Sequence, residues 1–178
     1  MPNEITFRRL TADDIPDYRR LRLECLKDFP ENFASVYQEQ LKLPKMYMET
    51  VLEGEDVSKF LVGAFSQGVM IGLVAVIRED NSRMRHVAHI LQMYVQPLYS
   101  GQKVGIKMLN FAVTCAWEIE GLEQLRLEVV TTSQSAIHVY QTAGFEEIGL
   151  YRQQMKIGKV YKDAIAMVLF RSASKTTN

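Results

Sequence analysis

Nine residues near the middle of the chain, V-M-I-G-L-V-A-V-I from Val69 to Ile77, place the strongest constraint on the fold. A strand with one wet face alternates apolar and polar side chains. This run has no polar position on either face, so it belongs inside a sheet that is covered on both sides. It is strand-sized and too short to span a bilayer as a helix. Phe60 to Phe65 precedes it across Ser66-Gln67-Gly68, and the two read as a hairpin. After a polar turn, Glu79 to Arg83, another strand runs from about Arg85 to Val95.

The chain also carries the helices needed to cover such a sheet. Thr11, with Asp14 three residues on, marks a helix start. Ile15, Tyr18, Leu21, Cys25 and Phe29 then recur at helical spacing, which predicts a helix from Ala12 to about Asp28, stopped by Pro30. Shorter helices are expected in Glu31 to Leu43 and in Lys45 to Leu52. Farther on, Val104, Met108, Phe111, Cys115 and Ile119 share one face of a long helix. Leu125, Leu127 and Val129 alternate as a half-buried strand. Ser133 is placed to cap a helix with Ala136, Ile137 and Tyr140 inward, ended by Gly144.

Ile5 to Arg9 is expected to be the first strand, and Phe145 to Leu150 and Lys162 to Phe170 the last two. The order β-α-α-β-β-β-α-β-α-β-β predicts a mixed α/β sheet with helices on its faces. The crossover from Val95 to Leu125 makes the flanking strands parallel. The expected organisation is one domain over residues 1–171, with Ser172 to Asn178 as a polar, frayed tail.

Composition narrows the function. Formal net charge is zero, so no basic excess speaks for nucleic acid. The opening M-P-N-E-I-T-F has no basic start followed by an apolar run, so no secretory leader is expected. With no membrane-length apolar run either, the expected location is the cytoplasm. Cys25 and Cys115 fall at apolar helical positions and read as buried free thiols. Three scattered histidines without Cys/His spacing predict no metal site.

Chemistry concentrates in His86 to Ile119. An apolar strand ends at Val95, a short loop holds Pro97 and Gly101, and a long helix follows. Amides at a helix start have no partner inside the helix, and the helix dipole there favours negative charge. A strand, a Gly-containing turn and a helix start therefore suit a phosphate-bearing ligand. The spacing fits neither a P-loop nor a dinucleotide fingerprint.

The segment V-Q-P-L-Y-S-G-Q-K-V-G-I-K-M-L resembles the acyl-CoA pyrophosphate loop of the GNAT superfamily of N-acetyltransferases. Val95, Pro97, Gly101, Gly105 and Leu109 carry the match. The segment from 133 to 145 is similar to that family's second motif through Ala136, Tyr140, Gly144 and Phe145. Ser100 stands at the family's Arg/Gln position, Lys103 at its middle glycine, and Ser133 at its usual Asn.

The resemblance implies a mixed, largely antiparallel central sheet of about seven strands with helices on both faces. It implies transfer of an acetyl group from acetyl-CoA, without a metal, to a primary amine by direct attack in a ternary complex. Both cysteines sit in helix interiors, which argues against a covalent acyl-cysteine.

For the cofactor, the resemblance points to Met93, Tyr94 and Val95 as an open strand edge that pairs with the pantetheine amides. Ser100 and Gly101 lie in the turn, and the amides of Gln102, Lys103, Val104, Gly105 and Ile106 open the helix and can bind the pyrophosphate. Ser133 and Ala136 complete the set. Tyr140 is the candidate acid that protonates the departing thiolate. His89, with His86, and Glu128 are the candidate bases. Phe29, Phe33 and Tyr37, with Tyr47, are candidate walls for a small-molecule or peptide amine, and Glu31 and Glu39 could attract its charge. The resemblance also allows a homodimer. A catalytically silent acyl-CoA-binding domain of the same fold is the alternative, and a longer acyl chain is a further option.

Overall fold

The computed structural model describes residues 4–171, and the expected frayed tail lies outside them. The strands are β1 (Ile5–Arg9), β2 (Lys59–Ser66), β3 (Val69–Arg78), β4 (Val87–Val95), β5 (Gln124–Val130), β6 (Glu146–Ile157) and β7 (Val160–Phe170). They form one sheet in the order β1-β2-β3-β4-β5-β7-β6. Among the described residues only the β4–β5 pair is parallel. The helices are α1 (Ile15–Asp28), α2 (Tyr37–Lys42), α3 (Tyr47–Glu53), α4 (Val104–Trp117) and α5 (Gln134–Thr142).

Strand β3 lies between β2 and β4, and its alternate side chains enter two separate cores. Val74 and Val76 join the core under α4 and α5, while Leu73 and Ala75 join the one under α1 and α3. All four are fully buried. The unbroken apolar run is thus explained by helices covering both faces. Cys25 and Cys115 are buried free thiols in these two cores.

Three expectations are corrected. Ala12–Asp14 is a 3-10 turn, and α1 begins at Ile15. The helix expected across Glu31 to Leu43 is confined to Tyr37–Lys42, because a 3-10 turn at Pro30–Asn32 and extended backbone at Phe33 and Val36 interrupt it. Strand β6 continues to Ile157, well past Leu150, and nearly all of it is exposed. An edge strand wet on both faces has no apolar alternation to read. Pairing with β7 defines it instead.

Candidate active site

The site begins where two parallel strands part. Strands β4 and β5 pair only at Val87↔Gln124, Ala88↔Leu125 and His89↔Arg126. From Ile90 onward the β5-facing edge of β4 has no ladder partner among the described residues. On its other side β4 stays paired with β3 but carries a bulge. Leu73 opposes Tyr94 and Ala75 opposes Leu91, so Gln92 and Met93 together face Val74. Gln92 takes a left-handed conformation, φ 56.

One extra residue reverses the side-chain alternation. Ala88 and Ile90 face the α4 core, yet after the bulge it is Met93 and Val95 that pack on that side. Tyr94 crosses to the α1 side. There its hydroxyl donates to Glu24 Oε1 at 3.0 Å, and Gln96 Nε2 donates to the same carboxylate. Burial, followed by the Glu24 carboxylate, raises the Tyr94 phenol above its ordinary range.

The helix start lies beside this edge. The first helical bond of α4 runs from the Lys107 N–H to the Lys103 carbonyl at 3.1 Å. The amides of Val104, Gly105 and Ile106 have no backbone acceptor among the described residues, as befits a first turn. Gly101 and Lys103 are both left-handed, φ 76 and 60. A Cβ on Gly101 would touch nothing, so its glycine serves backbone conformation rather than space. Lys103 holds the same conformation with a side chain, which is exposed. A Cβ on Gly105 would lie 3.4 Å from Met93 Cε, so the helix start sits directly against β4.

Between the parted strands lies a cavity of about 560 Å³, the size of a small-ligand site. Its walls come from Ile90 to Met93 of β4, Glu128 to Val130 of β5, and Ser133, Ala136 and Tyr140 of the α5 segment. Tyr18 and Arg22 of α1 and the residues 32–35 close the far side. Two contacts fasten that closure: Ser133 Oγ donates to Asn32 Oδ1 at 3.0 Å, and Lys162 Nζ pairs with Glu31 at 2.9 Å. Ser133 therefore stands at the expected cap position of α5 but gives no side-chain bond to the helix.

Tyr140 is 7% exposed and packs edge-on against Phe145, ring centroids 5.9 Å apart. Its hydroxyl has no hydrogen-bond partner among the described residues. Burial alone raises its phenol above the ordinary range, so it stays protonated. Glu128 is exposed, lines the cavity, and accepts from Gln154 Nε2 at 3.0 Å.

Not every candidate reaches this space. His89 bonds Glu79 at 2.8 Å and does not line the cavity. Phe33 and Tyr47 line it, whereas Phe29 packs on Tyr94 and Tyr37 starts α2, both outside the lining. Glu31 is engaged by Lys162.

Sequence reasoning missed Tyr18, Arg22 and Gln92 as cavity residues. Tyr18 donates to Gln92 Oε1 at 3.0 Å, and burial pushes its phenol up to about 12. Arg22 follows Tyr18 by four residues, hence on the same helix face. That spacing was the available signal.

The model of the acetyltransferase (GNAT) family matches residues 16–145. An uncharacterized N-acetyltransferase of Methanocaldococcus jannaschii is 26% identical over 144 residues, 80% of this chain but only 61% of that relative. The spermidine N(1)-acetyltransferase of Vibrio cholerae is 24% identical over 140 residues, 79% of this chain and 78% of the relative. Among solved structures, a GNAT-family acetyltransferase from Streptococcus pneumoniae superposes with a TM-score of 0.82 at 22% identity, covering 94% of this chain and all of that one. A candidate acetyltransferase from Salmonella typhimurium, solved with its cofactor acetyl-CoA, superposes with a TM-score of 0.77 at 15% identity over 99% of both chains. These two likenesses are of fold. No helix among the described residues is long and apolar enough to cross a membrane.

Proposed function

Because this chain belongs to the acetyltransferase (GNAT) family, we propose that it moves an acetyl group from acetyl-CoA to a primary amine by direct attack within one ternary complex. The observation that carries the reading is the hydroxyl at the tip of the buried Tyr140. It has no hydrogen-bond partner among the described residues, and Tyr140 lines the same cavity as the open edge of β4.

The residues present fit acetyl-CoA. The free amides of Val104, Gly105 and Ile106 suit a diphosphate, with the helix dipole behind them. Ser100, Gly101, Gln102 and Lys103 set the turn that aims those amides. The unpaired edge of β4 at Met93 to Val95 suits the amides of the pantetheine arm as a further strand would. Ser133 and Ala136 border the arm from α5.

Acetyl-CoA, when bound, supplies a thioester whose acetyl carbon bonds to the amine nitrogen as its bond to sulfur breaks. A backbone N–H on the β4 edge stabilises charge on the thioester oxygen. Glu128 takes the proton from the amine. Tyr140 gives its proton to the departing sulfur. Ordinary phenol and thiol pKa values differ by only about 1.5 units, and the burial that raises the phenol raises a thiol beside it in the same sense. Neither His89 nor a cysteine is needed. A cytoplasmic setting and a single catalytic unit spanning the seven-stranded sheet belong to the same proposal.

The test is thiol release from acetyl-CoA across a broad panel of amines, with calorimetry for coenzyme A. Amine-dependent release is expected. Tight coenzyme A binding without turnover of any amine would favour a silent binding domain instead.

A further inference from the structure

The cavity wall holds a cation with no carboxylate partner among the described residues. Arg22 is 3% exposed, and its Nε and Nη1 atoms have no hydrogen-bond partner among the described residues. Its guanidinium lies 4.9 Å from the centre of the Phe33 ring. A ring face is a weak companion for a charge taken out of water.

Each nearby group that could act as an anion is neutral or committed. The Tyr18 hydroxyl donates to Gln92. Cys25, one turn farther along α1, interacts with the guanidinium, but burial keeps it a neutral thiol. Glu24 is held by Tyr94 and Gln96. Glu49 is held by Arg19 and by the Met46 amide. Arg22 forms no ion pair among the described residues.

Among the residues lining the cavity, only Arg22 and Glu128 are charged. The cavity thus offers one cation on the α1 wall and one anion on the β5 wall. Phe33, Leu43, Met48 and Leu91 supply apolar surface. A guanidinium presents a planar fork of donors that matches a carboxylate in two parallel hydrogen bonds.

We propose that the acceptor is a small amino acid whose carboxylate pairs with Arg22 while its amino group lies toward Glu128. The proposal rests on the reading of this cavity as the acceptor site and specifies its substrate class. A polyamine, the substrate of the Vibrio cholerae relative by its name, would set a second cation against Arg22. An amine without a carboxylate would leave the guanidinium unpaired.

The experiment compares matched pairs on the coenzyme A-loaded protein. The twenty L-amino acids and a set of ω-amino acids are titrated beside their decarboxylated amines, with spermidine as the polyamine. Equilibrium binding is read by calorimetry, and turnover separately by thiol release. At least one amino acid is expected to bind about 10- to 100-fold more tightly than its decarboxylated partner. In Arg22→Met that preference should disappear, and in Arg22→Lys it should return in part. Retained coenzyme A affinity in each variant serves as the check on folding.

If no amino acid outbinds its matched amine, or if Arg22→Lys and Arg22→Met both keep the full preference, the proposal is overturned. The binding arm decides this even without turnover. Turnover of spermidine or simple amines in preference to amino acids would overturn it while leaving acetyl transfer intact. Selective amino-acid binding without thiol release would instead count against acetyl transfer.

Discussion

Tyr18 on α1 donates a hydrogen bond to the side-chain oxygen of Gln92, the left-handed residue of the β4 bulge, at 3.0 Å. The bond ties the first helix to the irregularity that turns Met93 toward α4 and Tyr94 toward α1. Burial pushes the Tyr18 phenol up to about 12, so the donor is intact throughout neutral and mildly alkaline pH.

Removing that donor should loosen the bulge without emptying the core. Tyr18→Phe is expected to cost about 1 kcal/mol of stability, the net worth of an ordinary hydrogen bond. It should also raise KM for the acceptor several-fold. Denaturant unfolding and steady-state kinetics check the two effects. An unchanged KM would detach the bulge from acceptor binding.

Tyr140→Phe keeps the ring against Phe145 and removes only the proton donor. Turnover should fall by about 10²- to 10⁴-fold, with coenzyme A affinity within about two-fold of the parent by calorimetry. Because burial raises this phenol, the alkaline limb of the parent's rate should lie above the ordinary phenol value of about 10. Equal turnover in the variant would remove Tyr140 from the chemistry.

Lys103 occupies a left-handed conformation that costs a side-chain-bearing residue roughly 1 kcal/mol. Lys103→Gly should therefore hold stability or raise it by up to about that amount. If backbone amides carry the diphosphate, coenzyme A affinity should change less than about two-fold. A loss of ten-fold or more, with a weaker salt dependence of binding, would assign the contact to the lysine side chain instead.

Glu49 gives the pH dependence a clear sign. Its carboxylate accepts from Arg19 at 2.6 Å and from the Met46 amide at 2.8 Å, capping α3 while 4% exposed. These bonds hold its pKa below the ordinary carboxylate range. A depressed folded value stabilises the protein above the unfolded pKa, about 4.3, and that stability is lost as pH falls through the folded value. Glu49→Gln should cost about 1 to 3 kcal/mol at pH 7, with the difference shrinking below pH 4. Urea midpoints from pH 3 to 7 measure it. A constant difference across that range would show that ionisation of Glu49 is not the cause.

Much of this fold could be read from patterns of residues. The two-faced apolar run of β3 required helices on both sides, and the glycine-bearing turn after Val95 announced the start of α4. Features set by distant partners could not be read this way. The β4 bulge depends on β3 and on Tyr18, so nothing in H-I-L-Q-M-Y announces it. Strand β6 exists because β7 pairs with it, although Arg152, Gln153 and Gln154 look like loop residues. His89 was readable as a strand residue, but Glu79, its partner, reaches it across the β3–β4 turn. Arg22 sits between Leu21 and Leu23 on a helix with many charges, where a solvated arginine is the ordinary outcome.

The most direct test of the cofactor and acid assignments is a crystal structure of the complex with coenzyme A. The diphosphate is expected against the amides of Val104, Gly105 and Ile106, with the sulfur within about 4 Å of the Tyr140 hydroxyl. A diphosphate bound away from the start of α4, or a sulfur far from that hydroxyl, would contradict it.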